Sequence, residues 1–279
     1  MKRVFKGSVA YVLVSVMQSE KLMKIERIAK QLDDAAFNAE ATPQLTGEDQ
    51  INLSEAYDVQ RLLINHRLKR GAKMIGVKMG FTSRAKMAQM GISDLIWGRL
   101  TSDMLIEEGA SIDLSHYVHP RVEPEICFLL KKPLSGHVSH LEAWAAVEAI
   151  APAIEIIDSR YKNFKFSLAD VVADNASSSG VVIGPWHRPD LDISNLGLIL
   201  SFNGRPVEMG STAAILGSPV RALVAAARLA AESGEVLEAG SLIMAGGATA
   251  AVALEAGQSV RCEFQTLGSV SFNVLNQGN

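Results

Sequence analysis

The spacing of apolar residues predicts two helices near the N-terminal end of the chain. Between positions 20 and 41 apolar side chains recur at helical spacing, at Leu22, Ile25, Ile28, Ala29 and Leu32. A loop containing Pro43 and Gly47 follows, and a second helix is expected over 54–70, opened by Ser54 and ended by Gly71. We expect these two helices to form a cap that packs on the main body.

Beyond this cap the pattern changes to short apolar runs that are typical of strands. Strands are expected at 73–79, 123–130, 153–157, 196–202, 241–245, 259–264 and 269–274. Asn203-Gly204, directly after the fourth of these, is a strong signal for a tight hairpin. The body of the protein is therefore predicted to be rich in strands.

Two further helices interrupt the predicted strands. Ser139, with Glu142 three positions on, forms a capping box that opens the first. Ser218 and Pro219 open an alanine-rich helix that ends at Gly234. Helices and strands alternate without an internal repeat, which predicts a mixed α+β domain built on curved sheets.

Composition and charge limit the classes of function. The chain has 279 residues, of which 48% are hydrophobic and 20% charged, so a packed globular core is expected. The formal charge of -3 and the scattered basic residues argue against a nucleic-acid partner. Cys127 and Cys262 are far apart and form no CxxC motif, so we interpret them as buried thiols of a reducing compartment.

The first residues resemble a weak signal peptide. Lys2, Arg3 and Lys6 precede an apolar run over 8–17. That run is too short to span a bilayer, which takes ~20 residues, and no small-x-small cleavage pattern follows it. We favour an upstream extension, with Met17 or Met23 as the functional start, and expect a cytoplasmic protein that does not bind membranes.

Two carboxylates stand side by side in the strand expected at 123–130. Residues two apart in a strand point to the same face, so Glu123 and Glu125 are neighbours. Like charges this close repel unless a cation or a proton lies between them. Pro124 lacks an N–H donor, which predicts an edge or a bulge at this point. A Glu-x-Glu pair alone, however, is more commonly a solvated acidic face.

A second segment favours a metal site. Glu155 lies within the apolar run 152–158, where a buried carboxylate is unfavourable unless it is paired or binds a metal. The same need for a partner applies to Asp158. Three carboxylates without a neighbouring Cys or His cluster predict an oxygen-only site, which suits Mg²⁺ or Mn²⁺ with open water positions.

Three other polar positions are candidates for binding a substrate. Lys78 lies in a strand between two glycines, where its ammonium would suit a substrate carboxylate or an enolate oxygen, although a lysine at a strand edge facing solvent is the alternative. The segment 174–180 is a polar turn rich in donors. The segment 246–249 follows a strand and ends at Thr249, leaving backbone amides for an anion. Polar glycine loops are common, so each signal is weak alone.

Taken together, these motifs resemble the hydratase/decarboxylase branch of the fumarylacetoacetate-hydrolase-like superfamily, from about Ile25 to the C-terminus. The segments that carry the resemblance are 76–83 (GVKMGFTS), 86–91 (KMAQMG), 119–125 (HPRVEPE), 157–166 (IDSRYKNFKF) and 172–178 (VADNASS). The resemblance implies an α+β fold with a β-roll core, flanking helices and an N-terminal helical cap. It also implies three parts: an extension over 1–22, the cap over 23–72 and a catalytic β-roll domain over 73–279.

The resemblance further implies roles for particular residues. Glu123, Glu125 and Glu155 would be the metal ligands, Lys78 a catalytic or substrate-binding lysine, and Ser177 a serine that contacts the substrate. The hydratases of this branch typically have Pro-Asp-Phe-Gly where this chain has LIWG over 95–98, and a Gly-Ala-Leu-Gly-Pro-like loop where it has GGATAA over 246–251. Both differences resemble the decarboxylases. They place Ile96 where the hydratases have a pocket aspartate, with Asp94 nearby as an alternative acid.

The activity implied is the metal-dependent decarboxylation of (3E)-2-oxohex-3-enedioate, a small 2-oxo dicarboxylate, in the meta-cleavage catabolism of aromatic compounds. Hydration of 2-oxopent-4-enoate is the competing activity, and a non-catalytic metal-binding subunit is the alternative from another class. The implied partners are further copies of the chain and the hydratase that takes over the unstable dienol.

Overall fold

Two β-sheets make up the body of the protein, and helices lie against them. The computed structural model describes residues 5–83, 87 and 94–276, and for residues 5–17 only the backbone. Its α-helices are α1 (Phe5–Asn38), α2 (Leu53–Lys69), α3 (His140–Ala145), α4 (Leu168–Ala173) and α5 (Pro219–Glu232). Its strands are β1 (Met74–Gly80), β2 (Ile96–Thr101), β3 (Leu105–Ile106), β4 (Ser111–Ile112), β5 (Pro120–Leu130), β6 (Val147–Asp158), β7 (Ser178–Ile183), β8 (Gly197–Phe202), β9 (Arg205–Ser211), β10 (Leu242–Met244), β11 (Val252–Ala253), β12 (Ser259–Phe264) and β13 (Gly268–Val274).

The larger sheet has the strand order β2-β1-β10-β5-β6-β7-β3, and β11 also pairs with β5. The smaller sheet has the order β4-β13-β12-β8-β9. Both contain parallel and antiparallel pairs, and the apolar residues of both meet in one core cluster. This arrangement confirms the predicted α+β class with a β-roll core. Every strand expected from the sequence is present, and the Asn203-Gly204 hairpin joins β8 to β9 with positive φ at both residues.

Several elements near the site were not expected from the sequence. Strand β2 begins at Ile96, in a stretch for which the apolar pattern gave no prediction. Strand β7 begins at Ser178, inside the segment that we interpreted as a polar turn. The short helix α4 immediately precedes that segment, capped by Ser167 and Asp170. The polar turn is therefore only the connection between α4 and β7.

The first two helices begin earlier in the chain than the apolar pattern indicated. Helix α1 begins at Phe5 rather than near position 20. Helix α2 is capped by Asn52, whose side chain accepts a hydrogen bond from the Glu55 amide while the Glu55 side chain accepts one from the Asn52 amide. This capping box satisfies two backbone donors at once. Ser54 therefore lies in the first turn and is not the cap.

The expectation that Pro124 marks a sheet edge or a bulge is wrong. Strand β5 lies inside the larger sheet, paired along its whole length with β6. Its other side pairs with β10 at 127–129 and with β11 at 121–122, leaving a gap between them. The Pro124 carbonyl accepts from the Ala248 amide in that gap. Since N–H and C=O of one strand residue point the same way, the missing donor faces a loop rather than a neighbouring strand.

The N-terminal helices are tied to two elements of the body. Apolar side chains of α1 and α2 share a buried cluster with α4, including Ile28, Leu32, Val59 and Val172. Gln60 of α2 is fully buried, and its amide donates to the Trp97 carbonyl at 3.0 Å and to the Val172 carbonyl at 2.8 Å. The cap thereby holds β2 and α4 against each other.

One helical stretch among the described residues, Thr212–Glu232, has the length and apolar composition of a membrane span. Within it, α5 packs Ala222, Leu223 and Ala226 into the main core cluster, as a core helix does. Cys127 and Cys262 are buried and unpaired, as expected from the sequence, and burial raises the pKa of both thiols.

Candidate active site

Three carboxylates meet where β5 and β6 run side by side. Glu123 and Glu125 alternate with Pro124 on β5 and therefore share one face of the sheet. The register of the pair sets Glu123 directly opposite Glu155. One oxygen of each carboxylate lies within 4.8 Å of the others. Glu125 and Glu155 are completely buried, and Glu123 is half-buried.

The hydrogen bonds of this cluster leave one buried carboxylate oxygen unsatisfied among the described residues. Glu155 accepts from Ser178 Oγ at 2.9 Å and pairs with Lys78 Nζ at 3.0 Å. Glu125 Oε2 accepts from the Gly246 amide at 2.7 Å, while Glu125 Oε1 has no hydrogen-bond partner among the residues that the structure describes. Among the described residues, the Lys78 ammonium thus faces two completely buried carboxylates, Glu125 and Glu155.

This imbalance shifts the pKa values of the buried groups. Burial, followed by the neighbouring charge of Glu155, raises the pKa of Glu125 well above its usual range. Burial acts to lower the pKa of Lys78, but Glu155, Glu125 and Glu123 outweigh it and raise that pKa. Lys78 therefore stays charged. The carboxylates need a further cation or a bound proton, so the site fits a divalent metal with oxygen ligands.

A cavity of ≈ 210 Å³ opens beside the carboxylates. Its polar lining includes Lys78, Glu123 and Ser177. The rest of its wall is largely apolar and includes Ile96, Ile157, Phe164, Phe166 and Val171. A ligand with a charged end and a less polar tail would match this division.

Two glycines let the 246–249 segment approach the carboxylates. A Cβ added to Gly247 would lie 2.7 Å from Glu123 Oε2, and one added to Gly246 would lie 2.2 Å from Thr82 Oγ1. Gly246 also has a φ of +100°, which side chains rarely adopt. We expected free amides for an anion here, but the Gly246 amide binds the Glu125 carboxylate. The segment thus supports a ligand residue of the protein itself.

The structure brings most of the sequence-predicted site residues to this one cavity. Lys78, Ser177, Ile96 and Glu123 line it, and the oxygens of Glu125 and Glu155 complete the acidic cluster. The alternation of side chains along β5 and the pairing of β5 with β6 account for the position of the carboxylates. The residues were recognisable because each is a charge within an apolar run.

Three further candidates from the sequence lie elsewhere. Thr249 does not line the cavity, and its hydroxyl donates to the Ala250 carbonyl at 2.9 Å. Asp94 is exposed and pairs with Arg228 at 2.8 Å, so it does not replace the missing pocket acid. Asp158 accepts hydrogen bonds from the backbone amides of Val118 and His119, outside the carboxylate cluster. The 86–91 motif lies outside the described residues except for its second position.

Neither the aromatic wall of the cavity nor a second pair of buried charges was expected from the sequence. Phe164 and Phe166 stack edge to face at 5.4 Å, and Phe164 has a positive φ of 54°. Arg160 pairs with Asp174, and both are buried. The segment 157–166 carried the family resemblance, but its spacing alone gave no sign of which side chains would reach the cavity.

Comparison with known proteins assigns the chain to a family. The profile of the family described as fumarylacetoacetate (FAA) hydrolase C-terminal matches residues 73–275. The chain belongs to this family.

Two characterised relatives differ in their activity. The chain is 70% identical to a 4-oxalocrotonate decarboxylase of Pseudomonas sp, over 91% of this chain and 100% of that protein. It is 37% identical to a 2-keto-4-pentenoate hydratase of Paraburkholderia xenovorans (strain LB400), over 79% of this chain and 83% of that protein. The similarity to the decarboxylase is thus much the stronger of the two.

Comparison with solved structures also shows a stronger similarity to a 4-oxalocrotonate decarboxylase than to another protein of this fold. The 4-oxalocrotonate decarboxylase from Pseudomonas putida G7, complexed with magnesium and adipate, superposes with a TM-score of 0.88 at 38% identity, covering 91% of this chain and 98% of that one. Fumarylpyruvate hydrolase from Pseudomonas aeruginosa shares the fold at a TM-score of 0.58 and 14% identity. The described fold is therefore that of this decarboxylase in nearly its whole length.

Proposed function

We propose that this chain is a carboxy-lyase that converts (3E)-2-oxohex-3-enedioate to 2-hydroxypenta-2,4-dienoate and CO2 in the meta-cleavage catabolism of aromatic compounds. The observation that carries the proposal is the cavity, which joins a carboxylate cluster and one lysine at its charged end to an apolar wall that includes Ile96. The 70% identity to a 4-oxalocrotonate decarboxylase supports it.

Glu123, Glu125 and Glu155 would hold the divalent cation in this proposal. Mg²⁺ and Mn²⁺ both suit three carboxylates with open water positions. When bound, such an ion supplies an electron sink for the 2-oxo group of the substrate. Ser178 orients Glu155, and the Gly246 amide orients Glu125, through the hydrogen bonds described above. Groups that orient ligands in this way support metal affinity.

Lys78 would stabilise the charge that develops during the reaction. Breaking the C5–C6 bond leaves its electron pair on C5, and the C3–C4 double bond passes this charge to the 2-oxo oxygen. Glu155 and the Ala176 carbonyl fix the Lys78 ammonium at 3.0 and 3.1 Å. A third N–H donor would reach the charged oxygen, and a donor in a fixed position commonly contributes ~3 kcal/mol to such a step.

The apolar wall would favour the loss of CO2. Ile96, Ile157 and Phe164 contribute apolar side chains to the lining of the cavity. A carboxylate enclosed by apolar side chains is poorly solvated, whereas neutral CO2 is not. Ser177 Oγ is buried without a hydrogen-bond partner among the described residues, which makes it available to a substrate oxygen.

The same wall distinguishes this reaction from hydration. Adding water to the dienol requires a proton-transfer group near C5, for which a carboxylate is the natural agent. Ile96 occupies the cavity wall, and Asp94 pairs with Arg228 at the surface. We therefore expect decarboxylation with little or no hydration of 2-hydroxypenta-2,4-dienoate.

The test is to give the purified chain each substrate separately with Mg²⁺ or Mn²⁺. CO2 release by the chain alone would also exclude a non-catalytic metal-binding subunit. Ile96→Asp should impair decarboxylation, because a second negative charge near C6 disfavours the dianion, while Ile96→Leu serves as the size-matched control. Hydration faster than CO2 release by the wild-type chain would contradict the proposal.

We further propose a cytoplasmic homo-oligomer that associates with a 2-oxopent-4-enoate hydratase. The product is an unstable dienol, so direct transfer to the next enzyme would limit its loss. We also propose that the chain is divided at residues 22 and 72 into an extension, a helical cap and a catalytic domain. Co-purification of the two enzymes at micromolar concentration, followed by sedimentation, would check the association.

A further inference from the structure

A turn of unusual backbone conformation forms one wall of the cavity. Asn175, Ala176 and Ser177 have φ values of +53°, +50° and +59°. Residues with a side chain rarely adopt this left-handed conformation, and three in succession need support from their surroundings. No glycine relieves the turn, so the rest of the structure must hold it.

The side chain of Asn175 supplies a clamp between this turn and β2. Its Oδ1 accepts from the Arg99 amide at 2.7 Å, and its Nδ2 donates to the Arg99 carbonyl at 2.9 Å. The amide side chain thus pairs with a strand as a neighbouring backbone would. Gly98 permits the close approach, because a Cβ there would lie 2.5 Å from the Asn175 carbonyl oxygen.

The clamped turn presents two polar groups to the reaction site. The Ala176 carbonyl accepts from Lys78 Nζ at 3.1 Å. Ser177 Oγ is buried at the cavity wall without a hydrogen-bond partner among the described residues. The direction of both groups depends on the left-handed turn, because a normal φ at Ala176 would rotate the carbonyl away from Lys78.

We propose that Asn175 is a positioning residue for the decarboxylation: its clamp on β2 keeps the turn in the conformation that orients the Lys78 ammonium and the Ser177 hydroxyl. This inference rests on the proposed function for its kinetic consequences, but not for its structural ones. Asn175 itself does not line the cavity, so it acts through its neighbours.

The first test is the substitution Asn175→Ala. We expect kcat to fall by about 100-fold, since a shift of about 1 Å in a reacting group has an effect of this order, with KM and Mg²⁺ affinity nearly unchanged. In a Lys78→Met background the same substitution should have a smaller effect, limited to the part that acts through the Ser177 hydroxyl, because the part that acts through Lys78 is already lost. Full additivity would overturn the proposal.

Gln60 offers a matched control. It is also a buried amide that binds the backbone of β2, at Trp97, and it accepts from the Arg99 guanidinium at 2.5 Å, but its side chain forms no hydrogen bond to residues 175–177 among the described residues. Gln60→Ala should lower stability comparably while its effect on kcat stays small and additive with Lys78→Met. Equal kinetic effects of the two substitutions would show that the role of Asn175 is only structural.

A readout without catalysis separates this proposal from the proposed function. A crystal structure of the Asn175→Ala protein should show a relaxed turn and a lost Lys78–Ala176 contact. If Asn175→Ala does not fold, Asn175→Asp retains the acceptor for the Arg99 amide and should show a smaller shift. An unchanged turn would overturn the inference whatever the activity, whereas a wild-type chain that releases no CO2 would refute only the proposed function.

Discussion

Two clusters of buried charge lie close together in this protein, and they are built in opposite ways. Arg160 and Asp174 form a neutral pair with several hydrogen bonds: the Arg160 amide donates to Asp174 at 3.0 Å, and the guanidinium donates to Ser179 Oγ at 2.6 Å and to the Asp174 carbonyl. The acidic cluster joins Glu123 to two completely buried carboxylates, Glu125 and Glu155, and among the described residues Lys78 is the cation paired with Glu155.

The difference shows how to recognise a functional site among buried charges. Burial alone does not distinguish the clusters, because Asp174, Glu125 and Glu155 are all completely buried. What distinguishes the acidic cluster is its excess of buried negative charge, together with one carboxylate oxygen, Glu125 Oε1, that has no partner in the described part of the chain. Buried polar groups are nearly always satisfied in folded proteins, so an unsatisfied carboxylate oxygen beside other carboxylates fits a site that binds a cation. The saturated pair, by contrast, has a structural role.

The largest effect we expect comes from breaking the saturated pair. Arg160→Met should lower the free energy of unfolding of the metal-free protein by ~3–5 kcal/mol, because it leaves the Asp174 carboxylate buried and unpaired. Denaturant unfolding monitored by circular dichroism measures this. The double variant Arg160→Met/Asp174→Leu is the control and should recover part of the loss. A loss below ~1 kcal/mol for the single variant would show that the pair is not structural.

The acidic cluster, in contrast, should stabilise the protein only when it binds a metal ion. Saturating Mg²⁺ at 100 times its dissociation constant should stabilise the folded protein by ~2.7 kcal/mol. The triple variant Glu123→Gln/Glu125→Gln/Glu155→Gln should lack this stabilisation and the activity, yet stay folded. Thermal unfolding with Mg²⁺ or with EDTA checks both. If the triple variant kept its EDTA-sensitive activity, the metal would bind elsewhere.

The sequence indicated the acidic cluster but not the pairing of Arg160 with Asp174. Glu155 was recognisable because one acid interrupts an apolar run, and Lys78 because it lies between glycines in a strand. The pairing of Arg160 with Asp174 was not, since neither residue has a pattern that indicates its partner across a turn. The left-handed conformation of Ala176 also left no local signal, because it depends on a tertiary clamp rather than on a glycine.

The fold was predictable in class but not in detail for a similar reason. Alternation and turn residues located most strands, because those signals are local. The position of β5 within its sheet could not be predicted from local signals. Pro124 indicated a sheet edge, but β5 lies inside the sheet, where the gap between β10 and β11 accommodates the proline. Which strands neighbour each other depends on contacts distant in sequence, and these contacts determine where the carboxylates meet.

Both clusters contain a carboxylate whose pKa is raised by burial, to about 6 for Asp174 and well above its usual range for Glu125, but only Glu125 belongs to the proposed metal site. The raised pKa of Glu125 means that the folded metal-free protein holds a proton that the unfolded chain loses at lower pH. Its stabilising contribution is therefore present below the unfolded pKa and is lost as pH rises through the folded pKa. Mg²⁺ must displace this proton, so its affinity should fall with decreasing pH by up to about tenfold per unit.

Calorimetry of Mg²⁺ binding in buffers of different ionisation enthalpy measures the proton release directly. We expect up to about one proton per ion in the wild-type chain, since Glu125 is the carboxylate of the acidic cluster whose pKa is raised. Glu125→Gln is the control and should release less. Proton release that is identical in both proteins would place the titrating group outside this carboxylate.

The smallest expected effects come from substituting two neighbouring serines on β7, each of which forms a hydrogen bond with a different cluster. Ser178 Oγ donates to Glu155 at 2.9 Å, whereas Ser179 Oγ accepts from Arg160 at 2.6 Å. Ser179→Ala should lower the free energy of unfolding by ~1 kcal/mol, the usual contribution of one hydrogen bond, and leave Mg²⁺ affinity unchanged. Ser178→Ala should weaken Mg²⁺ binding by about tenfold, since it frees a carboxylate that the hydrogen bond orients.

The two substitutions remove the same atom from adjacent residues, so each is the control for the other. Titration with Mg²⁺ and denaturant unfolding of both variants would measure the contrast, and equal metal affinities would mean that the two clusters do not differ in the way we infer.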